Sequence, residues 1–307
     1  MKVIYRLGTL RLKKTAIALG IFDGLHRGHQ LLIKSMVTEA RKLKAKATVI
    51  TFFPHPAHVF RPGIQFPYLM SLQQRVEALK SLGVDIVIVI PFNKRFAQVS
   101  PGDFVGKILV GQLGAKSVFV GENFRFGKDR SGDVILLKEL SAKYGYRMHA
   151  VKTLKQGKEP ISSGRLRRII PEGDLKQAKQ LLGRPVSAWG KVVKGASRGK
   201  ALGYPTANVH YEQDVLPPHG VYAVRVIWKK RSYYGMANLG IRPSFKDKEQ
   251  NPKTHLEVHI FDFNHNLYGQ DILVEFFKKI RDEKKFPSKE LLVLQIQRDE
   301  KRVRSLM

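Results

Sequence analysis

Leu19-Gly20-Ile21-Phe22-Asp23-Gly24-Leu25-His26-Arg27-Gly28-His29 is the stretch on which the reading of this chain turns. It places a glycine-rich turn between an apolar, strand-like run and a helical pattern, with two histidines at the helix entry. Glycines let backbone N–H groups approach phosphate oxygens closely, and a helix N-terminus adds partial positive charge. Gly20, Phe22 and Gly24 thus fall in a candidate nucleotide-binding turn. Three-residue spacing puts His26 and His29 on one side of that turn, where each has a donor for oxygens that gain charge as pyrophosphate departs. Solvated or metal-binding histidines are the competing explanation, because so short a motif recurs by chance.

The sequence around this turn alternates. Apolar, β-rich runs occupy residues 16–21, 47–53, 85–90, 117–120 and 147–151, and helical patterns occupy 28–42, 72–82, 101–110 and 133–143. This order predicts an α/β domain built on a parallel sheet covered on both faces. Ligands in such sheets bind beyond the carboxyl ends of the strands, where the glycine/histidine turn lies. Around residues 171–185 the pattern changes to a short helix, with Asp174 as N-cap and Gly183 as its stop. Strand-like runs then follow at 186–193, 220–229, 232–239, 255–263 and 270–280, a spacing that predicts a small antiparallel barrel or sandwich. A closing helix starts at Ser288 and buries a face containing Leu291 and Leu294.

A length of 307 residues suits two cores rather than one. No apolar run approaches the roughly 20 residues of a spanning helix, and the N-terminus lacks an apolar signal region, so the expected location is cytoplasmic. Without cysteine the chain has neither disulfides nor thiolate chemistry. Lys and Arg number 55 against 25 Asp and Glu, a net charge of +30. Such an excess attracts polyanions and supports nonspecific, salt-sensitive nucleic-acid binding. The basic residues are scattered, however, and a solvated basic surface on an enzyme with phosphate substrates is the favoured explanation.

Four further strings carry chemistry. Gly121-Glu122-Asn123-Phe124-Arg125-Phe126-Gly127-Lys128 follows a strand and joins an amide to aromatic rings and cations. Phe124 or Phe126 suits contact with a flat ring system, and core packing is the alternative use of either. Ile161-Ser162-Ser163-Gly164-Arg165-Leu166-Arg167 brings hydroxyls and guanidinium groups to a helix entry, either for phosphate or as an ordinary cap. Gly195-Ala196-Ser197-Arg198-Gly199-Lys200-Ala201-Leu202-Gly203-Tyr204-Pro205-Thr206-Ala207-Asn208 is a flexible loop able to close over phosphates. At its end Thr206 and Asn208 stand at strand spacing as neutral oxygen donors of the kind Mg²⁺ accepts. In His255-Leu256-Glu257-Val258-His259-Ile260, period-two geometry sets His255, Glu257 and His259 on one face, as a metal site, a polar outer face or a setting for one catalytic carboxylate.

In order and content these strings resemble bacterial bifunctional riboflavin kinase/FAD synthetases (FMN adenylyltransferases) over nearly the whole chain. Residues 19–29 match the HxGH nucleotidyltransferase signature, and Pro205-Thr206-Ala207-Asn208 the PTAN signature of riboflavin kinases. The resemblance implies a Rossmann-like α/β nucleotidyltransferase domain over residues 1–182, including the linker helix. It implies an antiparallel β-barrel riboflavin kinase domain with a C-terminal helix over 183–307. It further implies phosphorylation of riboflavin to FMN by ATP, then transfer of AMP from a second ATP to give FAD and pyrophosphate, with Mg²⁺ as the metal.

Carried over by residue, the resemblance gives His26 and His29 to adenylyl transfer and Glu257 to the kinase as general base. Nucleotide contacts fall to Gly20, Phe22, Gly24, Asn123, Ser162, Ser163, Arg165, Gly195, Ser197, Arg198 and Gly203; flavin contacts to Phe124, Phe126 and Arg281; and Mg²⁺ to Thr206 and Asn208. Gly164 departs from the family pattern, which has a hydroxyl residue there. That departure motivates a kinase-dominant alternative with weak adenylylation. The charge of +30 motivates a second alternative, a flavin-responsive nucleic-acid-binding regulator. Neither nucleic acid nor a membrane is required for the enzymatic reading, and the sequence is silent on oligomeric state.

Overall fold

The computed structural model describes residues 1–61, 63, 66–195, 199, 202–241 and 254–307. It divides into two units, one of Met1–Tyr68 with Leu72–Ser163 and the other of Leu69–Ser71 with Gly164–Met307.

In the first unit the apolar runs become strands β1 (Lys2–Ile4), β2 (Thr15–Leu19), β3 (Lys46–Phe53), β4 (Ile86–Pro91), β5 (Ala115–Gly121) and β6 (Arg147–Val151). All adjacent pairs are parallel, in the order β1-β4-β3-β2-β5-β6. Every residue of β2 is buried, as are the interior residues of β3, which explains why these segments read as continuous apolar runs rather than alternating ones. Ile17, Leu19, Ile50, Ile88, Val118 and Val120 form the centre of this core.

The helices of this unit are α1 (Arg27–Lys42), α2 (Pro56–Phe60), α3 (Leu72–Ser81), α4 (Lys94–Ala97), α5 (Pro101–Asp103) and α6 (Val134–Tyr144). α6 shows both ends of a well-specified helix: Asp133 accepts from Leu136 N–H at 2.9 Å, and Gly145 takes the left-handed position at φ 69°. Over 101–110 the structure departs from the predicted α-helix, for α5 runs directly into a π-helix, Phe104–Gln112. An apolar periodicity over so few residues marks the buried face but not whether each N–H bonds four or five residues back. The sequence pattern also omits the small hairpin β7 (Lys155–Gln156) with β8 (Glu159–Pro160).

Next come α7 (Ser163–Ile169) and α8 (Leu175–Leu182). Asp174 caps α8 by accepting from Gln177 N–H at 2.9 Å, and Gly183 ends it at φ 70°, as predicted. Its Leu175, Ala178, Leu181 and Leu182 are buried.

The second unit is a closed antiparallel barrel of β9 (Val186–Val193), β10 (Ala207–Tyr211), β11 (Gly220–Trp228), β12 (Arg231–Ile241), β13 (Thr254–Ile260) and β14 (Asp271–Arg281). Strand β10, absent from the sequence-level prediction, pairs with both β9 and β13 and so removes the free edges that would otherwise invite association. Helix α9 (Lys289–Arg304), capped by Ser288, adds Val303 to a core of Val221, Ala223, Met236, Phe261 and Ile280. Leu291 and Leu294, expected on its buried face, are instead exposed, because the inward stripe runs through Leu292, Ile296, Asp299 and Val303.

Candidate active sites

The turn after β2 is held in an unusual conformation. Phe22 and Leu25 have φ of 54° and 40°, beside Gly24 at 79°. A side chain on Gly20 would collide with the Phe22 ring, and one on Gly28 would press on the His26 ring, so these glycines provide close packing rather than flexibility alone. β2 therefore ends at Leu19, two residues before the apolar run does, because Ile21 and Phe22 already belong to the turn.

His26 is the N-cap of α1, its Nδ1 accepting from His29 N–H at 3.3 Å. This leaves Nε2 as the ring's donor. The two imidazoles stack with centroids 3.7 Å apart and planes at 17°, while Phe22 meets His29 edge-on at 5.3 Å. His29 Nδ1 is buried and has no hydrogen-bond partner among the described residues. Burial, then His26, then the Arg75 guanidinium hold the His29 pKa well below the ordinary imidazole value, so the ring is neutral at pH 7.

Both histidines line a cavity of about 240 Å³ with Gly20, Phe22, Glu122, Asn123, Phe124 and Lys152. Gly20, Asn123 and Phe124 also line a second cavity of about 760 Å³, whose walls include Phe52, Phe92, Phe96 and Phe126 and the cations Arg61, Arg125 and Arg130. A small polar compartment bearing imidazoles thus adjoins a large aromatic one, both beyond the carboxyl ends of the strands. Phe126 serves two roles: it lines the cavity, yet is 8% exposed and packs in the core against Phe104. Arg125 is paired with Asp133 at 2.9 Å.

Ser162, Ser163 and Arg165 line neither cavity. The Ser163 hydroxyl donates instead to Asp23 O at 2.8 Å, which ties the entry of α7 to the glycine/histidine turn. Sequence reasoning missed the buried groups beneath that turn: Asp23, Thr51 and Arg75, exposed by 2%, 0% and 0%. A buried cation paired with a buried carboxylate leaves no periodic signal in a helix of mixed polarity.

In the barrel, Asn208 of β10 and Asn238 of β12 stand opposite Glu257 of β13, a polar row across three strands. Glu257, Asn238 and Thr206 line a cavity of about 670 Å³, whose apolar lining includes Leu292 and Ile296 of α9 and Val221, Met236 and Ala237. Arg281 also lines it, donating through Nε to Asp299 at 2.7 Å and lying over the Phe286 ring. Asn238 donates to Glu283 Oε1 at 3.0 Å.

Asn208 does not line this cavity; its amide fills the space where a Gly195 side chain would project, and Gly199 likewise leaves room for Thr206. Gly203 takes φ 80° in the connecting loop. Ser197 and Arg198 lie outside the described residues. His259 Nδ1 lies 2.8 Å from Pro205 O and so braces the Pro-Thr-Ala-Asn segment. The uncharged oxygens of Thr206 and Asn208, cradled by glycine, fit a hard cation that draws most of its ligands from water and phosphate.

Family models for an FAD synthetase match residues 9–165 and for a riboflavin kinase residues 182–307. The chain belongs to the bifunctional riboflavin kinase/FMN adenylyltransferases. The Escherichia coli (strain K12) member is 38% identical over 285 residues, covering 92% of this chain and 90% of that one. A member from Buchnera aphidicola subsp. Acyrthosiphon pisum (strain APS) is 36% identical over 286 residues, covering 93% of this chain and 91% of that one. A solved structure described as a macrolide-efflux protein from Streptococcus pneumoniae covers 98% of both chains at 31% identity, with a TM-score of 0.82. No helix among the described residues is long and apolar enough to cross a membrane. In this riboflavin kinase/FMN adenylyltransferase the parallel-sheet unit is the FAD synthetase domain and the barrel the riboflavin kinase domain. Riboflavin, FMN and ATP are its substrates.

Proposed function

We propose that Glu257 is the general base of the kinase. Its carboxylate takes the proton of the ribityl 5′-hydroxyl as that oxygen bonds to the γ-phosphorus of ATP and the bond to the ADP oxygen breaks. The observation that carries this is its place on the wall of the 670 Å³ barrel cavity, in register with two asparagines and beside Thr206. Thr206 and Asn208 would hold Mg²⁺, which when bound offsets phosphate charge. Arg281, braced by Asp299, contacts the flavin, and Gly195, Ser197, Arg198 and Gly203 are assigned to nucleotide binding.

In the adenylyltransferase, a phosphate oxygen of FMN attacks the α-phosphorus of ATP and pyrophosphate leaves. His26 and His29 donate to the departing oxygens, while the aromatic cavity bearing Phe124 and Phe126 accepts the flavin ring. Gly20, Phe22, Gly24 and Asn123 form the nucleotide side. Ser162, Ser163 and Arg165 act with it at the entry of α7. We assign residues 1–182 to this function, linker helix included, and 183–307 to the kinase.

The protein works in the cytoplasm without nucleic acid. A time course with riboflavin and Mg-ATP tests the scheme: FMN rises and then gives way to FAD. Flavin-dependent, sequence-specific nucleic-acid binding that survives about 200 mM salt would instead support a regulator.

A further inference from the structure

Arg75 of α3 is among the largest fully buried side chains of the described residues, and the reaction scheme leaves it without a role. Its Nη2 pairs with Asp23 Oδ1 at 3.6 Å, and its Nη1 donates to Thr51 Oγ1 at 3.3 Å. Thr51 Oγ1 in turn donates to Ile21 O at 2.8 Å, and Gly20 N–H to Ile50 O at 3.2 Å. The tethered segment contains the left-handed Phe22 and Leu25, a geometry that non-glycine residues keep only where the surroundings over-determine it. Space filling alone does not explain a buried ion pair, since apolar side chains of similar volume serve stability as well or better.

We propose that Arg75 is a positioning residue for adenylyl transfer: anchored between Asp23 and Thr51, its guanidinium fixes the turn that presents the stacked His26 and His29. This rests on giving those histidines the adenylyl-transfer chemistry. The same cation acts at longer range on His29, joining burial and His26 in keeping that ring neutral. Glu122 and Lys152 are the other charged groups lining the histidine cavity.

The test uses the full chain and measures FMN adenylylation against pH, with riboflavin phosphorylation measured in parallel. Arg75→Lys keeps the charge but loses the planar fork, and Arg75→Met loses both. Misplacement of reacting groups by an ångström costs on the order of 10²-fold, so both variants should lose about that much kcat while KM changes by less than about threefold. In Arg75→Met the acid limb of the kcat profile should also move to higher pH, because a positive charge that opposes His29 protonation is gone; in Arg75→Lys it should stay in place. Should Arg75→Met fail to fold, Asp23→Asn/Arg75→Met, which leaves no unpaired buried charge, replaces it.

Near-parental kcat with an unmoved acid limb overturns the proposal, as does a loss expressed in KM alone. His26→Ala/His29→Ala is measured alongside. If that variant still adenylylates FMN, the histidine assignment fails; if it is inactive while the Arg75 variants keep full activity, only the role of Arg75 fails.

Discussion

His26 and His29 face each other with ring centroids 3.7 Å apart, and the Nδ1 of the first caps the helix that carries the second. One residue therefore has a structural and a chemical task at once. The cap fixes where the first ring carries its N–H, because an accepting Nδ1 leaves Nε2 as the donor.

Replacing both, His26→Ala with His29→Ala, should eliminate FAD synthesis from supplied FMN and spare riboflavin phosphorylation. Loss of one donor to a developing oxyanion costs about 10²–10³-fold, and loss of two should leave turnover near background. Separation of flavins after incubation with ATP gives the answer, and FAD formation at the parental rate would remove both residues from the reaction.

Glu257→Gln should show the opposite pattern. FMN formation should fall by roughly 10²–10⁴-fold, the range contributed by general-base catalysis, while FMN is still converted to FAD. Retention of more than about a tenth of kinase activity would contradict the assignment.

Thr206→Ala and Asn208→Ala should weaken Mg-ATP use in the kinase step alone, raising the Mg²⁺ concentration needed for half-maximal rate. Gly195→Ala should reproduce the Asn208→Ala defect without touching Asn208, because its new methyl group would collide with the Asn208 amide. Equal damage to adenylylation by any of these would point to a folding defect.

His29 links stability to pH. Its folded-state pKa lies well below the ordinary 6.5, so the unfolded chain binds the proton more readily and acidification favours unfolding. The contribution is full above about pH 6.5 and is lost as pH falls toward the folded value. Thermal unfolding followed from pH 7.5 down to 5 should show a falling Tm, and His29→Gln should flatten that slope in part. Some slope remains, because burial also lowers the His149 pKa.

Gly164→Ser or Gly164→Thr should raise adenylylation if the family's hydroxyl contributes a phosphate contact. Gly164 is exposed near the start of α7, so the added side chain has solvent beside it. An unchanged rate would show that glycine suffices there.

Much of this molecule was legible in the chain itself because the relevant signals are local. Continuous apolar runs declare buried parallel strands, Asp174 and Gly183 declare the ends of α8, and the spacing of His26 and His29 declares a shared helix entry. The signals that failed were those whose meaning depends on distant residues. Strand β10 reads as the tail of a loop until β9 and β13 pair with it. The hydrogen bond from the Ser163 hydroxyl to Asp23 O joins residues 140 apart in the chain, which no local pattern announces.

By itself the sequence determined the two architectures, their order, and the residue types available for each reaction, since periodicity, caps and turn glycines act over a few neighbouring residues. Only the tertiary structure decided which of those residues share a cavity and what lies beneath them. It set Glu257 between two asparagines from other strands, withdrew Asn208 toward Gly195, and buried Arg75 against Asp23. The reason is physical: cavity walls, charge pairing and desolvation arise from contacts between segments far apart in the chain, and no local pattern encodes them.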